Sequence, residues 1–260
     1  MPDAFYESDG ARFVPTELTR GPWDPDAQHA GPPAALLGRA IERHSGEGGA
    51  GHLGRITFEI LRSVPLASLS VSVEVLRPGR RVELVEARLA DAGGEVMRAT
   101  AWRLRADPVE IPPGLPRSDP PPGPEAGKDS PFFDTGRSVG YHTAMEYRFV
   151  AGAFVEPGPA TVWMRMRQPL VAGEEPSPLQ RVLVAADSGN GVSATLDWTR
   201  YVFINVDLTV QLHRLPAGEW VCLDAITIPE PSGVGLADTA LYDERGPIGR
   251  ATQTLLVGER

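Results

Sequence analysis

The sequence predicts an α+β protein built from two similar units in tandem, each with one long helix wrapped by a curved antiparallel sheet. The first observation is a repeat, since residues 56–104 align without a gap on 208–256 with 11 identities in 49 positions. Ordinary composition would give roughly 3 identities by chance. The same order of elements in both halves and a proline-rich stretch between them are the other two observations. Self-similarity of this length is typical of two copies of one fold unit.

The first unit, residues 1–105, is expected to contain one helix followed by four strands. Prolines at 32 and 33 suit a first helical turn, and the apolar residues after them share one face, which predicts a helix over 31–44. Four segments rich in β-branched residues follow, interrupted by turn sequences: GRITFEILRSV, LSVSVEVLR, RVELVEARLAD and VMRATAWRLR. This pattern predicts an antiparallel meander.

The proline-rich residues 106–136 are predicted to be a linker, because neither a helix nor a central strand persists with so many prolines. The second unit, residues 137–260, has two strand-like segments, helical spacing over 177–187, and four more strand-like segments. One helix and one sheet bury their apolar faces only if the sheet wraps the helix, which is the hotdog architecture. Two such units can pair edge to edge and so cover exposed strands.

Composition and charge argue against several classes of protein. The net charge is −9 and no cluster of Lys and Arg occurs, so nucleic acid is not expected as a partner. No apolar run approaches the roughly 18 residues of a membrane span and the N-terminus has no leader pattern, so a soluble cytoplasmic protein is expected. Cys222 is the only cysteine, and we expect it to be buried. The five histidines include no HExxH motif or close pair, so no metal site is predicted.

Three polar side chains of the second unit lie in apolar surroundings. Asp187 ends the run VLVAAD, where a carboxylate destabilises a helix C-terminus by about a few tenths of a kcal/mol, so it either binds a loop amide or has a chemical use. Gln253 stands where the first unit has Ala101, so the fold does not require an amide there. In YVFINVDLTVQLHR the even positions of 204–212 form an apolar face expected to cover the helix. The odd face, which includes Asn205, is expected to meet solvent or to line a groove between the halves.

Several ordered segments resemble the double-hotdog acyl-CoA thioesterases of the thioesterase II group: RGPWDPDAQHAGPPAALLGRAIE, the proline-rich middle, FINVDLTVQLHRLPAGEWVCLDA and GRATQTLLV. The resemblance covers nearly the whole chain. It implies a site in the second unit where an Asp from the helix, a Thr or Ser from the next strand and a Gln from the last strand orient a water against the thioester carbonyl. Asp187 matches the first position, and Gln253 matches the last after a shift of one residue. The hydroxyl position falls on Asn205, which departs from the family pattern.

The resemblance further implies an acyl-CoA substrate, no cofactor, and hydrolysis with Asp187 as the general base or as the anchor of the attacking water. Backbone N–H groups near a helix start are expected to stabilise the oxyanion. Arg200 and Arg214 are candidates for contact with the CoA phosphates. His29, in QHAGPP, is expected to be structural or to bind the oxyanion or the ligand. Exposed sheet edges favour a homo-oligomer.

Two other functions stay open from the sequence. A non-catalytic acyl-CoA or fatty-acyl binding protein could keep the same fold after losing the hydroxyl. A hotdog hydratase or dehydratase needs an acid–base pair of His and Asp, and His29 has no evident partner in the sequence.

Overall fold

Thirteen strands form one antiparallel sheet in the computed structural model, which describes residues 2–44, 51–105, 107–114, 118–133 and 135–260. The strands of the first unit are β1 Tyr6–Asp9, β2 Arg12–Pro15, β3 His52–Ile60, β4 Leu69–Arg77, β5 Val82–Asp91 and β6 Gly94–Leu104. Those that follow are β7 Met145–Ala153, β8 Glu156–Met166, β9 Tyr201–Asn205, β10 Asp207–Leu212, β11 Val221–Pro229, β12 Val234–Asp243 and β13 Gly246–Glu259. The α-helices are α1 Gly31–Arg43, α2 Tyr141–Ala144, α3 Pro178–Ala186 and α4 Gly189–Val192. Two short 3-10 helices span Glu17–Thr19 and Pro124–Ala126.

The sheet is symmetric about its centre. Its order is β1-β2-β4-β5-β6-β3-β10-β13-β12-β11-β8-β7, with β9 also paired to β13. The central strands β3 and β10 are counterparts in the repeat, and Thr57 lies opposite Thr209 with hydroxyl oxygens 3.2 Å apart. These two threonines are repeat partners, so the units join edge to edge about an approximate two-fold axis at this pair.

The helices α1 and α3 pack against each other beneath the sheet. The helix α1 also contacts β4, β5 and β6, whereas α3 contacts β8 and β11. Gly38 is a point of close approach, because a Cβ there would collide with Leu183 of α3. Both helices bury most of their apolar residues. Each unit therefore keeps its own helix, and the pair forms the shared core of the molecule.

The helical segment of the second unit is not the single long helix that was expected. The nine-residue α3 ends at Ala186, and the four-residue α4 begins at Gly189. Asp187 and Ser188 lie between them with ψ of −13° and −4°, away from ordinary helix values. Asp, Ser and Gly all favour helix ends, which explains the interruption. The break places the Asp187 carboxylate at a change of direction in the chain.

Part of the predicted linker lies against the second unit. Trp163 donates a hydrogen bond of 2.7 Å to the carbonyl of Pro122, and Lys128 forms paired backbone hydrogen bonds with Phe149. Positions 106, 115–117 and 134 of the linker lie outside the described residues. Among the residues that are described, no helix is long and apolar enough to cross a membrane.

Candidate active site

A cavity of about 650 Å³ lies between the two units. His29 reaches it from the segment before α1, and Asp187 and Asn205 reach it from the second unit. Gln253 lies on β13, behind the wall that Asp187 and Asn190 form. The cavity is therefore bounded by elements that are far apart in sequence and that meet only when the units are joined.

The Asp187 carboxylate is the centre of a cluster of polar side chains. It is 4% exposed. Asn205 donates to its Oδ1 at 2.8 Å, and Gln253 donates to the same oxygen at 3.3 Å and to the Asp187 carbonyl at 3.1 Å. The Nδ1 atom of His29 lies 3.0 Å from the other oxygen, Oδ2. Four of the six residues singled out in the sequence thus lie together.

Gln253 faces the interior and has partners for both ends of its amide. It is 2% exposed, and its counterpart Ala101 is fully buried, so this place is interior in both units. The N–H of Asn190 donates to Oε1 at 3.1 Å. Because that N–H can only donate, the oxygen must face it and the NH₂ group must face Asp187. Gln253 therefore ties the start of α4 to the carboxylate.

A one-residue bulge turns Asn205 toward the cavity. Thr209 pairs with Thr252 on β13, whereas Asn205 pairs with Leu255 on the same strand. Moving four residues along the β9–β10 segment therefore corresponds to moving three residues along β13, and the extra residue forms the bulge. One extra residue reverses the face on which the following side chains lie, and bulges of this kind occur next to active sites.

The bulge corrects the predicted faces of this segment. Leu208, Val210 and Leu212 are buried as predicted, but Ile204 and Val206 are 37% and 46% exposed. The prediction that these last two cover the helix is wrong, because the alternation of the strand is interrupted between them and β10. Ile204 and Val206 line the cavity instead.

His29 is held tightly in front of α1. Its backbone N–H donates to the Thr19 carbonyl at 2.8 Å, and its ring stacks on Tyr141 with centroids 3.7 Å apart. Burial lowers the pKa of His29, and the nearby carboxylate of Asp187 acts in the opposite direction. His29 has no evident partner in the sequence, and the fold supplies one by bringing it to an aspartate 158 positions away.

Two groups compete for the Nδ1 atom of His29. The N–H of Gly31 donates to it at 3.1 Å, which requires an unprotonated nitrogen. Oδ2 of Asp187 is equally close, and a hydrogen bond between these atoms requires a proton on one of them. The pair can therefore exist in two arrangements that differ by one proton, which suits acid–base chemistry.

Tyr141 is a site residue that the sequence pattern did not reveal. Its hydroxyl donates to the Val184 carbonyl at 2.7 Å and lies 2.9 Å from the Ser188 hydroxyl. Burial raises the pKa of Tyr141 well above its ordinary value, so the phenol stays neutral. Tyr141 stands at the start of a strand-like segment, and nothing in its spacing indicates that it packs on a histidine from the other unit.

Arg214 is placed away from the cavity. Its guanidinium forms two hydrogen bonds of 2.5 Å with Asp243 and another with the Gly246 carbonyl. In the first unit the repeat counterparts Arg62 and Asp91 make the same contact at 2.5 Å. Arg214 therefore holds the last hairpin of its unit, and this arrangement does not support contact with CoA.

Arg200 is close in the chain to residues that line the cavity. It is exposed, and its guanidinium lies 5.5 Å from the Tyr201 ring. Its neighbours Asp197 and Trp198 line the cavity. Of the two arginines considered from the sequence, only Arg200 has near neighbours in the chain that line the cavity.

Comparison with known families identifies the chain. Residues 19–104 match the model of the acyl-CoA thioesterase N-terminal domain, and residues 117–257 match that of the acyl-CoA thioesterase C-terminal domain. The chain belongs to the acyl-CoA thioesterase family. It is a thioester hydrolase, as the resemblance of its segments implied. No match was found among curated protein sequences.

Solved structures share the fold of this thioesterase over nearly its whole length. A proposed thioesterase II from Thermobifida fusca is 20% identical with a TM-score of 0.73, covering 97% of this chain and 94% of its own. A hot dog fold protein of unknown function from Alicyclobacillus acidocaldarius is 16% identical with a TM-score of 0.72, covering 99% and 97%. An acyl-CoA thioesterase II from Mycobacterium marinum is 14% identical with a TM-score of 0.63, covering 96% and 92%. At these identities the likeness concerns the fold alone.

The polar cluster of the thioesterase is suited to handling a water molecule and a proton. It contains one carboxylate, two amides and one imidazole, and the part of the chain that the structure describes has no group of three His, Cys, Asp or Glu side chains arranged for a metal ion. A carboxylate held by fixed donors can take a proton from a bound water.

Proposed function

We propose that the thioesterase hydrolyses acyl-CoA at the Asp187 carboxylate, which removes a proton from the attacking water. The observation that carries this proposal is the convergence of Asn205, Gln253 and His29 on that one carboxylate. These groups come from three separate parts of the chain, and the carboxylate lies beside a cavity large enough for an acyl group.

Asn205 and Gln253 have different parts in this proposal. Both hydrogens of the Asn205 amide are used, one by Asp187 and one by the Asp207 carbonyl at 3.1 Å, which leaves its Oδ1 to accept a hydrogen bond from the water. The NH₂ group of Gln253 points at Asp187, so Gln253 orients the carboxylate and does not need to touch the water. Asn205 thereby replaces the accepting half of the family hydroxyl.

The reaction then balances with one water and one proton. The water oxygen bonds to the thioester carbon while Asp187 takes a water proton. The tetrahedral intermediate collapses, the C–S bond breaks, and the CoA thiolate takes that proton to give the free acid and the CoA thiol. General-base assistance of this kind is worth about 10²–10⁴-fold in rate.

His29 is proposed to serve both the proton and the oxyanion. The Gly31 contact favours an unprotonated Nδ1, so the proton of the neutral ring lies on Nε2, to which no described residue is hydrogen-bonded. Nε2–H can then donate to the carbonyl oxygen as negative charge develops. Once Asp187 has taken the water proton, Oδ2 can donate it to Nδ1, which stabilises the protonated acid. Pro32 and Pro33 lack N–H groups, so the first turn of α1 offers few backbone donors for this task.

Release of free thiol from acetyl- to palmitoyl-CoA tests the proposal. We expect turnover by the native protein and a loss of at least about 100-fold in Asp187→Ala. Asp24→Ala is the matched control, since Asp24 also lines the cavity but lies outside the cluster. Binding of acyl-CoA without turnover by the native protein would contradict the proposal in favour of a binding protein. Full activity of Asp187→Ala would show that the site lies elsewhere.

The contact between His29 and Asp187 also supports a second candidate, hydration of an enoyl thioester. The sequence argument against it was the lack of a partner for His29, and the structure supplies that partner at 3.0 Å. The two amides fix a carboxylate that can activate a water in either reaction, and what favours hydrolysis is the match to the acyl-CoA thioesterase family. Incubation with an enoyl-CoA separates the two, since hydrolysis releases a thiol and hydration leaves a hydroxyacyl thioester.

A further inference from the structure

The cavity contains a large share of the aromatic residues of the chain. The protein has 5 Trp, 5 Tyr and 8 Phe, which is 7% of its residues. Eight of these 18 line this one cavity, whose walls use 32 of the 260 residues. At the average composition of the chain, the walls would contain about two aromatic residues. The concentration is therefore a property of this cavity and not of the chain as a whole.

Five of these rings form a connected set, which we call the aromatic cluster: Phe132, Phe133, Tyr147, Phe154 and Trp198. The rings of Phe132 and Phe133 are 4.1 Å apart, and Phe132 meets Phe154 at 4.6 Å with an angle of 68°. Phe154 meets Tyr147 at 4.9 Å and 78°, and Phe133 meets Trp198 at 4.8 Å and 41°. Most of these contacts are tilted or edge-to-face, the geometries that aromatic pairs prefer.

The aromatic cluster is assembled from three separate parts of the chain. Phe132 and Phe133 come from the proline-rich segment, Tyr147 and Phe154 from the β7–β8 hairpin, and Trp198 from the loop after α4. Each ring is only partly buried, so apolar ring surface remains uncovered on the cavity side. Uncovered apolar surface is unfavourable in water, and a ligand that covers it gains affinity.

We propose that the acyl group accepted by this thioesterase carries an aromatic ring, which packs in the aromatic cluster while the thioester lies at Asp187. The inference rests on the proposed function for the thioester chemistry and adds the class of acyl group. An aromatic ring can present its edge to a ring face, or its face to a ring edge, which a saturated group cannot do. Each such pair favours an aromatic ligand by about two- to twelvefold over a saturated one of the same area.

Three CoA esters with the same number of acyl carbons test this proposal: phenylacetyl-CoA, cyclohexylacetyl-CoA and octanoyl-CoA. We expect kcat/KM for phenylacetyl-CoA to exceed both others by about tenfold or more. Equal values, or a preference for octanoyl-CoA, would overturn the aromatic assignment and leave the proposed hydrolysis intact. If none of the three releases thiol, the proposed function fails for these esters, and the acyl preference is then read from binding.

Binding is measured by calorimetry on Asp187→Asn with the same three esters, so that the preference does not depend on turnover. Tighter binding of phenylacetyl-CoA supports the proposal, and equal binding contradicts it. Phe133→Leu is expected to reduce the preference to below about threefold. Phe13→Leu is the matched control, because Phe13 is a partly buried ring outside the cavity. If Phe133→Leu does not fold, as judged by circular dichroism, Trp198→Leu takes its place, and an unchanged preference in the folded variant overturns the assignment.

Discussion

The side-chain amide of Asn205 donates a hydrogen bond of 2.8 Å to the carboxylate of Asp187, at the position where related thioesterases are expected to place a hydroxyl. The contact exists because the bulge between β9 and β10 turns Asn205 inward. An amide donates with one atom and accepts with another, so it can bind the carboxylate and a water together. The departure from the family pattern is therefore compatible with hydrolysis.

We expect Asn205→Leu to lower kcat by about 10²-fold with little change in KM, because the carboxylate loses a donor and the water loses an acceptor. Asn205→Thr is expected to keep more activity, since a hydroxyl can both donate and accept. Steady-state kinetics with one acyl-CoA measure both. Gln211→Leu, which removes an exposed amide from the neighbouring β10, is the control, and an equal loss in that variant would argue against a role for Asn205.

The buried His29 predicts a loss of activity in acid. Burial lowers the pKa of His29 below its ordinary value near roughly 6.5, and Asp187 opposes this effect. A protonated Nδ1 cannot accept the proton from Asp187, so kcat/KM should fall as the pH decreases through this lowered pKa. The pH profile of His29→Gln should lack this decrease in kcat/KM, although the variant is less active than the native protein at every pH. An unchanged decrease in that variant would assign it to another group.

The same shift predicts a decline of stability in acid. Because the pKa is lower in the folded than in the unfolded state, the unfolded chain binds the proton first as the pH falls. The contribution of neutral His29 to the free energy of unfolding is fully present above a pH of about 6.5, and it is lost as the pH decreases toward the pKa of the folded state. Urea unfolding at a series of pH values from neutral to acidic measures this loss of stability in the native protein and in His29→Gln. Burial also lowers the pKa of His142, so His142→Gln is measured beside it.

The hairpin contacts of the two units predict unequal effects of the same substitution. Asp243 is fully buried and Arg214 is about a third exposed, so Arg214→Gln should cost about 2–3 kcal/mol, somewhat less than breaking a fully buried pair. Arg62→Gln should cost less, because both Arg62 and Asp91 are more exposed. Urea unfolding compares the variants. A large increase in KM with unchanged stability in Arg214→Gln would instead indicate contact with the substrate.

Removing the hydroxyl group from each of two cavity tyrosines should change the free energy of unfolding in opposite directions. The Tyr147 hydroxyl is buried and has no hydrogen-bond partner among the described residues, so Tyr147→Phe should raise the free energy of unfolding by about 1 kcal/mol. Tyr141→Phe should lower it by about 1–2 kcal/mol, because two hydrogen bonds are lost. Thermal unfolding of both variants measures the difference. Destabilisation by Tyr147→Phe would mean that its hydroxyl has a partner.

Much of the fold was predictable because it depends on local pattern. The repeat fixes which strands correspond, and β3 pairs with β10 at the repeat partners Thr57 and Thr209. The end of the second helix at Asp187 was indicated by the sequence, but the short helix α4 that follows it was not predicted. The contribution of Phe132 and Phe133 to the cavity was not predicted either, because proline-rich composition shows only that a segment lacks regular structure.

The sequence by itself determined the tandem units, and it singled out Asp187 and Gln253 as polar groups in apolar frames. Only the tertiary structure decided what these groups do together. A shift of one residue on a strand changes the face of a side chain, so the role of Asn205 depended on a bulge that periodicity does not show. The pairing of His29 with Asp187 joins positions in different units. Such a contact is set by how the helices and sheet edges pack, and neighbouring residues do not encode it.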